Sequence, residues 1–219
     1  MSDRLVPRRE FVGRLAVGSA ALTAACAQGA APPPAAPAGD AMDTWFGSMK
    51  GTYKVIYDCA SPGGAADGTF FAHNILKYSA SKLGTKQEDN SIVVCYRHFA
   101  TPFGYTDAIW AKYPQIATML KIEDPKTKKI ATQNWLLHEL VEDEEGANIP
   151  GVNARGVQFA VCGAATEFIA KLLAGKTGDA KAIEAELAAA LVPGAKMAPA
   201  GVVAVQRAQK AGFAYTYAG

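Results

Sequence analysis

A chain of 219 residues has room for one ordinary domain with appendages, and two large domains are excluded on length. Half of the residues are apolar and only 19% are charged, a composition that excludes disordered, collagen-like and disulfide-dense chains and specifies a buried core. The formal net charge of +2, from 22 basic and 20 acidic residues, supplies no general field for nucleic acid or an anionic membrane. Membrane contact is therefore expected only through a signal segment or a lipid anchor.

The amino terminus is a different kind of sequence. Arg4, Arg8, Arg9 and Arg14 lie in the first 14 residues, whereas Arg97, Arg155 and Arg207 serve all the rest. Residues 7–25 (PRREFVGRLAVGSAALTAA) have the layout of a signal peptide. The apolar run 15–25 is shorter than the roughly 20 helical residues that a membrane span needs. Arg8-Arg9-x-Phe11-Val12 resembles the twin-arginine export motif, which implies a periplasmic destination and export in the folded state. Residues 1–26 are read as this signal. Leu22-Thr23-Ala24-Ala25-Cys26 resembles a lipoprotein processing site with Cys26 as the lipidated residue; cleavage after a small residue such as Ala30 is the other reading. Residues 27–52 begin with the Pro/Ala-rich run AQGAAPPPAAPAGDA and are read as an extended spacer and lead-in.

From residue 53 onward, short apolar, β-branched runs alternate with helical patterns, which predicts a single three-layer α/β domain over 53–219 with a mostly parallel sheet. The five expected strands are 53–59 (YKVIYDC), 91–98 (SIVVCYRH), 156–162 (GVQFAVC), 195–198 (AKMA) and 213–217 (FAYTY). Expected helices cover about 67–83, 167–173, 180–191 and 202–210. The glycine-rich stretch 61–68 (SPGGAADG) lacks nucleotide-loop spacing and is read as a tight turn. Residues 106–151 form an enlarged crossover. It holds a helix bearing Ile109, Trp110, Tyr113, Ile116, Met119 and Leu120, a basic turn at Lys126, Lys128 and Lys129, and a second helix over 135–145 with a solvated acidic end.

Cys59, Cys95 and Cys162 each fall near the carboxyl end of one of the first three strands, the edge where open parallel sheets gather their sites. Cys162, in Val161-Cys162-Gly163-Ala164-Ala165-Thr166, precedes a helix whose amides and dipole favour a thiolate. A buried inert cysteine is the alternative. Cys59 and Cys95 read equally as core residues, and a disulfide between two of the three stays open. His98, at the end of the second strand, could join Cys59, Cys95 or Cys162 in a mixed sulfur and nitrogen metal site, although no C-x-x-C or H-x-x-x-H spacing supports it. His73 and His138 read as core or surface histidines.

Several segments together carry a family pattern: Asn74-Ile75-Leu76, the VCGAAT stretch at 161–166, LVPGA at 191–195, PAGVVA at 199–204 and QKAGFAY at 209–215. With these the chain resembles the DsrE/DsrF-like family over about residues 53–219. The resemblance implies a flavodoxin-like DsrE fold, a homo-oligomer (trimer or hexamer) and sulfur trafficking through a persulfide on Cys162, with a sulfur donor or acceptor protein as partner. Thr166 is read as a supporting hydroxyl or a helix cap, and Cys59, to which the resemblance gives no role, is a secondary candidate from its strand-end position. No cofactor is implied. The export signal departs from the cytoplasmic members of the family and keeps a second expectation open, a non-catalytic periplasmic binding or assembly module that is metal- or haem-carrying.

Overall fold

Strand β1 (Tyr53–Cys59) pairs in parallel with β2 (Asn90–Tyr96) on one side and β5 (Ala214–Tyr217) on the other, because its apolar residues are buried on both faces. β3 (Gln158–Cys162) and β4 (Ala195–Ala198) extend the sheet beyond β2, giving the order β4-β3-β2-β1-β5 with every pairing parallel. The computed structural model describes residues 41–138 and 144–219. The expected signal, lipidation site at Cys26 and Pro/Ala spacer through residue 40, and Glu142 and Asp143 of the acidic run, lie outside the described residues.

Side-chain alternation divides the sheet into two cores. Tyr57, Cys59, Val94, Tyr96, Phe159 and Val161 face one layer, where they meet Ala72 and Leu76 of α2 (Pro62–Leu83), the crossover, Ile169 of α6 (Gly163–Ala174) and Leu187 of α7 (Ala180–Ala189). Ile56, Val93, Cys95 and Ala160 face the other layer, built from α1 (Ala41–Ser48) and α8 (Gly201–Lys210). The result is the three-layer, flavodoxin-like α/β architecture expected from the sequence. Strand order explains the layers. The connections from β1 through β4 all step in one direction, so right-handed crossovers lie on one face, and the return from β4 to β5 reverses direction and carries α8 to the other.

Several expectations are corrected. Residues 41–49 do not belong to an extended lead-in: α1 buries Met42, Trp45 and Phe46, and Met49 follows, against α8 and the sheet. Phe46 is fully buried, with its ring 5.5 Å from that of Phe213. The glycine-rich stretch is no separate turn, since α2 starts at Pro62, a residue suited to the first helical position, with the Ser61 hydroxyl accepting from the Gly64 amide at 2.9 Å. In the crossover, the expected single helix is divided into α3 (Asp107–Lys112) and α4 (Gln115–Leu120), because Pro114 cannot continue the first. Of the second helix expected over 135–145, the segment 139–143 lies outside the described residues, and Trp135–Leu137 form a 3-10 turn. A short helix that the sequence reading omitted, α5 (Ile149–Ala154), is capped by the Asn148 side chain accepting from the Gly151 amide.

Glu144 is not a free acidic end. It accepts from Lys77 at 2.6 Å and lies 3.3 Å from Nε2 of the buried His73, whose Nδ1 is 2.7 Å from Arg155. The crossover is thereby tied to α2. His138 pairs with Asp107 at 3.0 Å. Among the described residues, no helix is long and apolar enough to cross a membrane.

Candidate active site

The chain after β3 enters α6 on one face, and the chain after β4 enters α8 on the other. Because β3 and β4 are neighbours, their carboxyl ends part there and open a crevice, the place where open α/β sheets bind ligands. Cys162 is the last residue of β3 and stands at this point.

Cys162 takes an extended conformation (φ −75°, ψ 109°) as the N-cap of α6, and its Sγ accepts from the Ala165 amide at 3.4 Å. Ser, Thr, Asp or Asn ordinarily fills that position, because an oxygen there satisfies an orphan amide. A sulfur instead places a nucleophile where the helix amides and dipole favour negative charge. Gly163 follows for want of space: a Cβ there would lie 2.7 Å from Ala198 O and 3.0 Å from Pro199 O. The Ala164 amide donates to Pro199 O at 3.0 Å, which clamps the start of α6 to the end of β4. Gly163→Ala is therefore expected to cost about 1–3 kcal/mol by overpacking, although alanine is otherwise the better helix former, and a thermal melt checks it.

The crevice deepens into a cavity of about 450 Å³ lined by Cys162, Arg97, His98, Phe99, Leu120 and Phe168 among others, with the opening residues of α8 (Gly201, Val202) on its far wall. Cys162 is 7% exposed, so its sulfur is reached through this cavity and is not spread on the surface. A cavity of about 500 Å³ beside the opening turns of α2, lined by Pro62, Ala66, Phe70, Lys121 and Trp135, is the larger of the two but contains no thiol. Chemistry, not size, therefore assigns the site to the Cys162 crevice.

The other expected residues divide. The Thr166 hydroxyl donates to Cys162 O at 2.9 Å and meets Tyr105 OH at 2.7 Å, so it secures the carbonyl of the cap and does not reach the sulfur. Cys59 is fully buried on the opposite sheet face, under α2. Cys95 is fully buried beneath α8, with Sγ 3.6 Å from Gly201 O, and does not line the cavity. Burial pushes both thiols well above the ordinary cysteine range. All three are free thiols. Cys59 and Cys95 are expected to resist alkylation in the folded protein while Cys162 reacts, a contrast that peptide mapping after labelling reads directly. His98 is exposed, with a positive φ of 54°, and lines the cavity, but Cys95 lies behind the wall, so the two do not form a shared metal site. Among the described residues, no group of three or more His, Cys, Asp or Glu side chains is placed to hold a metal ion.

Sequence reasoning missed the polar cluster beside the crevice. Asp58, 4% exposed at the end of β1, accepts from Arg97 Nε at 2.5 Å, from Arg97 Nη2 at 3.0 Å and from Tyr215 OH at 3.0 Å. The hydrogen bonds to Asp58 hold the Arg97 guanidinium above its ordinary range, and desolvation followed by the Asp58 hydrogen bond raises Tyr215. One signal was present: an aspartate inside a largely apolar strand needs a partner, and Arg97 follows the end of the neighbouring β2 while Tyr215 lies on the neighbouring β5, in register with Ile56 two residues before Asp58.

Compared with protein-family models, with curated proteins and with solved structures, the chain matches none.

Proposed function

We propose that this chain is an exported DsrE-like protein that binds or transfers sulfane sulfur through a persulfide on Cys162. The observation that carries the reading is the placement of the Cys162 sulfur as the N-cap of α6, accepting an amide hydrogen bond, at the crevice where the β3 and β4 connections diverge. The thiolate attacks the terminal sulfur of a donor persulfide or polysulfide. A new S–S bond forms to Cys162, the bond to the inner donor sulfur breaks, and the donor leaves as a thiolate, so that R–S–SH and Cys–S⁻ become R–S⁻ and Cys–S–SH with no net oxidation. The second transfer runs the same exchange toward an acceptor thiolate. Thr166 and Tyr105 position the cap from below, and the hydrogen bond from Ala164 to Pro199 fixes the start of α6 against the end of β4.

The same reading carries a periplasmic location reached through the twin-arginine segment, and a homotrimer or hexamer working with a sulfur donor or acceptor protein. Its test is an intact-mass measurement of natively exported protein under non-reducing conditions, which reports signal removal, lipid on Cys26 and sulfur on Cys162 together. A second reading, a non-catalytic periplasmic binding module, is favoured by the apolar walls that Phe99, Leu120 and Phe168 give the cavity. It predicts a bound small molecule and an inert Cys162.

A further inference from the structure

The walls of the Cys162 cavity are mostly apolar. Arg97 lines them as the cationic residue, His98 stands beside it, and among the described residues no Asp or Glu lines the cavity. Asp58 does not sit in the cavity but fixes the arginine from the sheet side through Nε and Nη2, which leaves Nη1 without a hydrogen bond among the described residues. The stem of Arg97 is held as well. It lies against Gly201 so closely that a Cβ there would be 2.4 Å from Arg97 Cβ. An arginine fixed along its stem and on one edge of its fork offers its remaining edge at little entropic cost.

The far wall adds a second positive feature. α8 opens at Ala200, which provides no side-chain cap, so the amides of its first turn at Gly201 and Val202 face the crevice end without an internal acceptor. The opening turn of α6 carries the same polarity around Cys162. Arg97 and the two helix N-termini thus border the sulfur, while Phe99, Leu120 and Phe168 supply room for a carbon skeleton.

Resting on the sulfur-carrier reading above, we infer that this cavity selects a sulfur donor with an anionic organic body, such as a carboxylate-bearing persulfide, whose negative group is received by Arg97 and the opening turn of α8. Asp58 acts as a positioning residue for Arg97. A bare inorganic polysulfide would use the helix ends but leave the apolar walls unfilled.

The test uses two alkylating probes of similar size on the full-length protein, anionic iodoacetate and neutral iodoacetamide. Each forms an S–C bond to Cys162 and releases iodide. The ratio of the iodoacetate rate to the iodoacetamide rate is expected to drop about tenfold in Arg97→Met and in the paired variant Asp58→Asn/Arg97→Met. The pair removes both charges together, so it leaves no buried carboxylate unpartnered if the single variant folds poorly. Without any variant, raising the salt concentration is expected to slow iodoacetate and not iodoacetamide. Equal rate ratios in parent and variants, with no salt effect on the ratio, would overturn the inference. Sulfur loading is followed separately by mass: anion preference without loading sinks the sulfur reading and leaves the anion site standing, whereas loading without anion preference does the reverse.

Discussion

Cys162→Ser is expected to abolish sulfur loading and alkylation at the crevice while leaving the fold intact. Serine is a preferred N-cap residue, and its hydroxyl would accept from the Ala165 amide that the sulfur now occupies at 3.4 Å. Stability should therefore stay level or rise by up to about 1 kcal/mol. Cys162→Ala removes the acceptor and should lose about 0.5–2 kcal/mol along with reactivity. The pair of variants separates the two roles of one atom, because only the nucleophile is lost in the first. Retention of loading in Cys162→Ser would move the chemistry elsewhere.

The second large effect is expected in the segment ahead of β1. Phe46 is fully buried between α1, α8 and the sheet, and its ring packs against Trp45 at 4.6 Å and Phe213 at 5.5 Å. Phe46→Ala leaves a cavity in the smaller of the two cores and should cost about 3–5 kcal/mol, a large share of the stability of an ordinary domain. Denaturant melts of parent and variant measure it. A loss below about 1 kcal/mol would mean that α1 is an ornament on the sheet and not part of its core.

That segment also shows where the sequence could be read and where it could not. β4 falls on the four residues expected and β1 on the seven expected, since β1 is an apolar, β-branched run and β4 is tightly bounded by Pro193-Gly194 and Pro199. The layers followed from alternation and crossover handedness. α1 was hidden because AMDTWFGS is only eight residues long and follows a Pro/Ala-rich stretch of sequence; its helicity comes from burying Trp45 and Phe46 on the sheet. α5 was hidden for a related reason, since Pro150 and Gly151 read as a breaker until Asn148 is seen to cap a helix in which proline holds an early position.

For the site, the position of Cys162 was legible because a strand end followed by a helix start fixes both the sheet edge and the capping amides. The rest depended on which face each side chain takes. Cys59 and Cys95 sit at corresponding strand ends yet lie on opposite faces, so three similar positions reduce to one thiol that reaches a cavity. Arg97 was counted only as one of few arginines, and its role emerged from the long-range pairing with Asp58 and Tyr215 that strand order creates.

The most direct measurement is the intact mass of the purified, reduced and desalted protein before and after incubation with polysulfide, followed by peptide mapping. A gain of roughly 32 Da, one sulfur atom, is predicted on the peptide containing Cys162 and is reversed by a reducing thiol. An unchanged mass in the folded protein, or sulfur carried on Cys59 or Cys95 instead, would contradict it.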